Sequence, residues 1–230
     1  MLRVSGIDTY YGTSHILHEV SIEVDAGEMV SVLGRNGAGK TTLLRSITGE
    51  RLPRLGRIEF DGKTISKLAS HLRTRRGISY VPQGRQIISD LTVSENLELA
   101  LLGVGKSRRI PDVVYEYFPA LRSLTGRKGG VLSGGQQQQL AIARALVQEP
   151  RLLLMDEPTE GLQPSVVAEI QEIIKRIGSE HNCAILLVEQ RLDVVRDVAR
   201  RFAILDTGHI VATGPIGVLS DDVVRKHLQV

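Results

Sequence analysis

The segment from Gly34 to Thr41 has the residue types and spacing of a phosphate-binding loop. It fits the pattern G-x-x-x-x-G-K-[ST]. Glycines let backbone amides turn toward a phosphate, Lys40 adds a positive charge, and the Thr41 hydroxyl is able to bind Mg²⁺. We predict a phosphate site formed by Gly34, Arg35, Asn36, Gly37, Ala38, Gly39, Lys40 and Thr41.

Two adjacent carboxylates follow an apolar run at Leu152–Met155. An apolar run of this kind indicates a buried strand, so Asp156 and Glu157 are expected at the carboxyl-terminal edge of a sheet, where ligands of α/β proteins bind. Beside a phosphate loop, Asp156 is predicted to hold Mg²⁺, directly or through water. Glu157 is predicted to orient an attacking water molecule.

A third motif, Leu132-Ser-Gly-Gly-Gln136, stands before a predicted helix. Its small residues leave backbone amides and the Ser133 hydroxyl free at a helix N-terminus, which makes a second anion site possible. Taken alone, the motif would be read as an ordinary N-cap by Ser133. Because the other two motifs are present in the same chain, we also predict an anion-binding role for Ser133, Gly134, Gly135 and Gln136.

The elements that position these motifs alternate between strands and helices. The apolar run Met29–Leu33 predicts a strand before the phosphate loop, and Thr42–Thr48 has helical spacing after it. The chain begins with strand-like stretches between Val4 and Val24. Further strands are predicted at 77–81, 152–155 and 184–188, and helices at 91–100, 113–124, 137–147 and 165–177. This pattern predicts an α/β fold with a parallel sheet and a helical block inserted before Leu152.

Composition is that of one globular unit. The 230 residues are 42% hydrophobic and 24% charged, and the net charge of +3 is spread without a basic tract. With aromatics at 3%, this argues against a nucleic-acid footprint. The six histidines lack the spacing of a metal site, and Cys183 lies in an apolar run where a free thiol packs as a small hydrophobe. No secretion signal or membrane span is recognisable, so we expect the chain in the cytoplasm.

The phosphate loop, Leu-Ser-Gly-Gly-Gln and a strand ending in Asp-Glu together resemble the nucleotide-binding subunit of ATP-binding cassette (ABC) transporters. The resemblance covers residues 1–230 as one nucleotide-binding domain. It implies a P-loop NTPase with a RecA-like core, an N-terminal antiparallel β subdomain and an inserted helical subdomain at 85–147. It also implies ATP and Mg²⁺ as ligands, with ATP held by the loop from Gly34 to Thr42. It further implies a dimer in which residues 133–136 of one subunit cover the γ-phosphate bound by the other.

The resemblance assigns three further residues. Tyr11 corresponds to the aromatic that stacks on adenine, with Tyr10 as a rival. Gln83 corresponds to a glutamine that senses Mg²⁺ and contacts the transmembrane subunit. Gln190 stands where most members have a catalytic histidine; glutamine does not titrate near neutrality, so we predict that Glu157 activates water and Gln190 only positions. The segment Glu160–Gln163 occupies the place of the loop that faces the dimer partner, although it departs from the common Ser-Ala-Leu-Asp pattern.

Finer features are typical of one branch of the family. Gln190 after Val-Glu is typical of the second ATPase of branched-chain amino-acid and amide importers, which implies a heterodimer, with a homodimer possible in isolation. Three details look most like the subunit of urea importers, namely residues 82–85, the glutamines 136–139 and residues 157–165. Urea is therefore the expected cargo and branched-chain amino acids the alternative. A non-transport cassette ATPase is the alternative of another class, but those usually carry two cassettes or a long insertion.

The same resemblance implies the partners and the location. A second ATPase subunit and transmembrane permease subunits are expected to bind the chain directly, and a solute-binding protein outside the membrane indirectly. The chain is then expected to lie peripherally on the cytoplasmic face of the inner membrane, with import as the direction of transport.

Overall fold

The computed structural model describes residues 1–105 and 109–228. Its strands form two sheets, and its helices lie mainly against the larger one. The strands are β1 (Leu2–Tyr11), β2 (Ser14–Val24), β3 (Met29–Leu33), β4 (Leu55–Phe60), β5 (Lys63–Thr64), β6 (Ile78–Val81), β7 (Leu152–Asp156), β8 (Ala184–Val188), β9 (Arg201–Asp206) and β10 (His209–Pro215).

The larger sheet has six strands in the order β10-β9-β3-β8-β7-β6. All neighbours pair in parallel except β9 and β10, which form an antiparallel hairpin. Every residue of β7 and of β8 is buried, because helices and the second sheet cover both faces. The predicted parallel α/β core is confirmed.

The smaller sheet is antiparallel, with the order β2-β1-β4-β5. Its inner face buries Leu2, Val4 and Ile7 in a core shared with β3 and with the helix that follows the phosphate loop. The N-terminal antiparallel β subdomain expected from the resemblance is therefore present.

Nine α-helices lie in the described ranges 1–105 and 109–228, besides short 3-10 turns at Gly129–Val131 and Ile216–Val218. They are α1 (Lys40–Thr48), α2 (Ser70–Thr74), α3 (Val93–Gly103), α4 (Asp112–Tyr117), α5 (Pro119–Arg122), α6 (Gly134–Leu146), α7 (Pro164–His181), α8 (Leu192–Val198) and α9 (Asp221–Leu228). The stretch from α3 to α6 lies between β6 and β7 in the chain, as the helical block was predicted to do. The limits 85 and 147 of a separate subdomain stay a prediction.

One predicted helix is divided in two. Residues 113–124 were expected to form a single helix, but α4 ends before Phe118 and α5 begins at Pro119. Phe118 has φ −127° and ψ 68°, outside the helical region. Proline disfavours helical geometry in the residue before it and suits the first turn of a new helix. The sequence prediction was wrong here because apolar spacing outweighed the proline.

Candidate functional site

The phosphate loop connects the end of β3 to the start of α1, and its glycines are required by close packing. A Cβ at Gly34 would lie 2.4 Å from the Leu205 carbonyl oxygen. Gly39 has φ +108° and its Cβ would lie 2.8 Å from Leu17 Cδ2. The turn between β9 and β10 packs against the loop, where the Gly208 amide donates to the Ala38 carbonyl over 2.9 Å.

The N-terminus of α1 is open for an anion. Its N-cap is Gly39, no side chain caps it, and no acidic residue lies in its first turn. The amides there have no intrahelical acceptor, and the helix dipole adds partial positive charge. Lys40 is 5% exposed, and its ammonium donates to the carbonyls of Gly34 and Arg35 over 2.7 and 3.1 Å.

A cavity of about 310 Å³ brings many of the predicted residues together beside this loop. Nine of the predicted site residues line it with Ile16, which sequence reasoning had not selected. The nine are Tyr11, Asn36, Gly37, Gly39, Lys40, Thr41, Thr42, Gln83 and Glu157. Gly34, Arg35 and Ala38 contribute to the same loop through their carbonyls.

Glu157 lies at the centre of the polar contacts in this cavity. It follows β7 with φ +49°, an unusual conformation for a residue with a side chain, and is 8% exposed. Gln190 Nε2 donates to its Oε1 over 2.7 Å, and Gln83 Nε2 donates to its Oε2 over 3.2 Å. Lys40 Nζ lies 3.3 Å from Oε1. The carboxylate is thus held by two amides and one ammonium.

The two glutamines link Glu157 to other parts of the site. Gln190 Nε2 also donates to Asn36 Oδ1 over 2.6 Å, which places Gln190 directly against the phosphate loop. Gln83 Nε2 also donates to Glu160 Oε2 over 2.9 Å, which ties the end of β6 to the segment after β7. Gln190 therefore contacts both the loop and the carboxylate, although both lie far from it in the chain.

Asp156 is 1% exposed at the end of β7. Tyr80 on β6, a residue that sequence reasoning missed, donates its hydroxyl to Asp156 Oδ2 over 3.2 Å. Oδ1 is buried and has no hydrogen-bond partner in the described part of the chain. Burial raises the pKa of Asp156, and the nearby Thr41 and Tyr80 hydroxyls offset this only in part. A buried carboxylate oxygen beside the Thr41 hydroxyl fits a divalent cation.

Tyr10 and Tyr11, the two candidates for stacking on the nucleotide base, have different surroundings. The Tyr10 ring is stacked on His15 at 4.1 Å between centroids, and the Arg54 guanidinium lies 4.2 Å from its centroid. Tyr11 lines the cavity, with Arg51 at 4.2 Å over its ring. Burial raises the pKa of Tyr11, but hydrogen bonds with Arg45 and Thr42 outweigh it and lower the pKa overall.

The Ser-Gly-Gly-Gln motif lies elsewhere. Ser133 is the N-cap of α6, and it forms a reciprocal capping box with Gln136, with bonds of 3.3 and 3.0 Å. A Cβ at Gly134 would lie 3.0 Å from the Arg85 guanidinium. Residues 133–136 do not line the cavity of the phosphate loop. Ser133 therefore acts as an ordinary N-cap, and the helix N-terminus that it caps lies away from the phosphate loop of the same chain.

Comparisons with known proteins agree with this geometry. The family model described as ABC transporter matches residues 17–160. The chain is 41% identical to the high-affinity branched-chain amino acid transport ATP-binding protein BraG of Pseudomonas aeruginosa over 92% of this chain and 91% of that protein. It is 35% identical to the lipopolysaccharide export system ATP-binding protein LptB of Haemophilus influenzae over 98% and 95%. The fold matches the ATP-binding cassette MJ1267 with a TM-score of 0.86 and 32% identity over 98% and 97%.

A second solved structure, the dimeric post-hydrolysis state of the cassette MJ0796 bound to ADP and Pi, matches with a TM-score of 0.85 and 26% identity. It covers 94% of this chain and 99% of that one. The chain belongs to the ABC transporter family and is an ATPase of that family. Of the helices in the described ranges, none has the length and apolar character that crossing a bilayer requires.

Proposed function

We propose that this chain is the ATP-hydrolysing subunit of an importer for branched-chain amino acids. Lys40, Thr41 and Glu157 line one cavity, and Asp156 lies beside Thr41 at the end of β7; this arrangement supports the hydrolytic part. The cargo is proposed from the relatives, because BraG and a protein of Archaeoglobus fulgidus, LivF, which is 37% identical over 93% of this chain, are named for branched-chain amino acids. The sequence details at residues 82–85, 136–139 and 157–165 favour urea as the second candidate.

In the proposed site, each residue of the cavity has a separate task. The α1 amides and Lys40 bind the β- and γ-phosphates of ATP, and the Tyr11 ring stacks on adenine. Thr41 and Asp156 would hold Mg²⁺, with Gln83 close to it. Among the described residues, no group of three or more His, Cys, Asp or Glu side chains is placed to hold a metal ion, so we expect water and phosphate to complete the shell. Mg²⁺ would supply neutralisation of charge on the transferring phosphoryl group.

Glu157 is the proposed acceptor of the proton from the attacking water. Its Oε1 is 3.3 Å from the Lys40 ammonium, so a phosphate that binds Lys40 leaves the carboxylate free for water. Gln190 contacts both Glu157 and the phosphate loop, and its amide aligns the carboxylate and contacts the γ-phosphate without exchanging a proton.

Assembly completes the site in this proposal. Residues 133–136 of this chain lie apart from its own phosphate loop, so they would cover the nucleotide of a second ATPase subunit, most simply in a heterodimer. The helical block from α3 to α6 would contact the permease subunits at the cytoplasmic face of the inner membrane, and the solute-binding protein would act only through those subunits. Closing and opening of the dimer would then drive the permease between its two states.

The hydrolytic assignment is tested by Mg²⁺-dependent ATP hydrolysis of the complex with permease and second ATPase subunit. Glu157→Gln should lower kcat by about a hundredfold or more while ATP still binds. Glu172→Gln is the matched control, because Glu172 is an exposed carboxylate on α7 that pairs with Lys175 and does not line the cavity. Hydrolysis that survived Glu157→Gln and disappeared in Gln190→Ala would reverse the two roles.

The cargo is tested by uptake of labelled leucine and of labelled urea in cells with and without this chain. Loss of leucine uptake alone supports the first proposal, and loss of urea uptake alone supports the second. Co-purification with ribosomes or nucleic acid instead of membrane subunits would contradict both.

A further inference from the structure

Glu189 is a buried carboxylate that the proposed mechanism does not use. It lies between the end of β8 and Gln190 and is 2% exposed. Among residues 1–105 and 109–228, no lysine or arginine lies within ion-pair distance of it, and the neighbouring Arg191 pairs with Asp193 instead. A buried carboxylate without a paired cation must be stabilised by hydrogen-bond donors, because burial removes its contacts with water.

Three donors fill that need, and they come from two segments of the chain. The Thr159 hydroxyl, which is 1% exposed, donates to Glu189 Oε1. The backbone amides of Gln190 and Arg191 donate to Oε2 over 2.8 and 3.3 Å. The carboxylate therefore connects the turn that follows Glu157 to the start of the segment that carries Gln190.

Both connected segments carry groups of the nucleotide site. Glu157 precedes Thr159 by two residues, and its amide donates to the Val188 carbonyl over 2.9 Å. The Gln190 side chain donates to Glu157 Oε1 over 2.7 Å. Glu189 thus links the backbone of Gln190 to Thr159, which lies in the turn after Glu157. The side chains of Glu157 and Gln190 are bonded to each other, so both residues belong to one closed set of contacts.

We propose that Glu189, together with Thr159, is a positioning residue for ATP hydrolysis: it holds the backbone of Gln190 and the turn after Glu157 so that the Gln190 amide keeps the Glu157 carboxylate aligned. The inference rests on the proposed function, since it requires that Glu157 acts on water. Glu189 does not line the cavity, so its effect passes through Gln190 and Thr159.

Thr159 offers a pair of variants that separates the hydrogen bond from packing. Thr159→Val keeps the shape and removes the donor, whereas Thr159→Ser keeps the donor and loses one methyl group. At Glu189, Glu189→Leu removes both acceptors. Glu189→Gln is the conservative partner, because its carbonyl can accept from the Gln190 and Arg191 amides while its amide donates to the Thr159 hydroxyl.

The test measures ATP hydrolysis as a function of ATP concentration in the assembled transporter, with the number of ATP-binding sites determined for each variant. Thr159→Val and Glu189→Leu should lower kcat by about tenfold with the KM for ATP within about twofold, because misalignment affects the transition state more than ground-state binding. Thr159→Ser and Glu189→Gln should retain most of kcat. Tyr117→Phe, which breaks a remote bond to Glu180, is the control for loss of a polar contact elsewhere.

The kcat values of the Glu189 variants can overturn this inference in several ways. Hydrolysis by Glu189→Leu at the wild-type kcat would overturn the inference, as would a fall in rate matched by an equal fall in ATP-binding sites, which means loss of folded protein. If Glu189→Gln hydrolysed ATP as slowly as Glu189→Leu, the negative charge of Glu189 would matter and not its hydrogen bonds. That result would also overturn the inference. The proposed function fails separately, if the wild-type complex hydrolyses no ATP or if Glu157→Gln keeps full activity.

Discussion

The Tyr80 hydroxyl donates to Asp156 Oδ2 over 3.2 Å, while Oδ1 of the same carboxylate has no partner in the described part of the chain. The Tyr80 bond and the nearby Thr41 hydroxyl leave this buried carboxylate incompletely satisfied. Burial also raises the pKa of Tyr80, so the phenol stays protonated and remains a donor through the neutral range. The site therefore keeps one carboxylate oxygen ready for a cation, at a cost in stability before a cation binds.

Asp156→Asn should consequently stabilise the nucleotide-free protein while removing its activity. Because burial raises the pKa of Asp156, ionisation costs more in the folded than in the unfolded state, and this cost is present above the ordinary pKa and is relieved as pH falls. We expect a gain of about 1 kcal/mol, or about 3 °C in Tm, at pH 7.5 without Mg²⁺. Thermal unfolding from pH 7.5 down to pH 4 should show the gain shrinking; a variant that is less stable than wild type at pH 7.5 would contradict it.

Tyr11 and Tyr10 should differ sharply in nucleotide binding. Tyr11→Ala is expected to weaken ATP affinity by about tenfold, since base stacking on an aromatic ring contributes about 1–3 kcal/mol. Tyr10→Ala is the matched control, because its ring is enclosed by His15 and Arg54 and should not affect affinity. Binding of ATP is measured by titration calorimetry. Equal losses in both variants would mean that the base lies elsewhere.

Arg73 should be among the most important residues for stability. It is fully buried, and its guanidinium donates to the carbonyls of Ser46, Ile47, Ser66 and Leu68 over 2.8 to 2.9 Å. Arg73→Met would leave these carbonyls unpaired, two of them at the end of α1. We expect a loss of about 3 kcal/mol in the free energy of unfolding, measured with urea.

Two further variants check the reason for that loss. Arg75→Met, at an exposed position two residues along, should change stability little. Gly49→Ala should destabilise like Arg73→Met, because Gly49 has φ +83° and a Cβ there would lie 2.7 Å from Arg73 Nε. Equal stability of the Arg73 and Arg75 variants would show that the four bonds contribute nothing net.

The histidine column formed by His15, His18 and His209 should make stability sensitive to mild acid. Its ring centroids are 3.7 and 4.6 Å apart along the column, and His15 Nε2 lies 2.7 Å from Asp8 Oδ1. Desolvation and the charges of His15 and His209 lower the pKa of His18, although Asp8 acts in the opposite direction. The unfolded chain then takes up the proton first, so stability falls as pH drops through about 6.5.

We expect the Tm of the wild type to fall between pH 7.5 and 5.5, and His18→Gln to make this fall smaller. His71→Gln, at an exposed position outside the column, should leave the pH dependence unchanged. The measurement is thermal unfolding at matched ionic strength. A fall of the same size in wild type and His18→Gln would assign the pH dependence to other groups.

Sequence alone was sufficient wherever a motif determines local geometry. The phosphate loop needs glycines at Gly34 and Gly39 because neighbouring atoms exclude a Cβ, so the pattern G-x-x-x-x-G-K-T already fixes the backbone. The position of Asp156 and Glu157 at the end of β7 was predictable too. A short apolar run is typical of a buried parallel strand, and polar residues that follow it must lie at the carboxyl edge of the sheet.

Contacts between distant segments could not be predicted in the same way. The choice between Tyr10 and Tyr11 depends on Arg54 and Arg51, and nothing in the sequence shows which guanidinium covers which ring. Arg73 stands among several other basic residues, and only the fold shows that it alone of that run is buried. Glu189 escaped notice for the same reason, because its partner Thr159 is thirty residues away.

The strand order of the larger sheet affects when the phosphate loop is able to fold during synthesis. Within the described residues, β3, which precedes the phosphate loop, pairs with β8 and β9 alone. Strand β8 also separates β3 from β7, the strand that ends at Asp156 and is followed by Glu157. Both partners of β3 come after residue 183, so a nascent chain that already contains all three motifs still lacks the strands that seat the loop. We therefore expect the phosphate loop to reach its final position only after β8 and β9 have been synthesised, so a chaperone that shields β3 until then should raise the yield of folded protein.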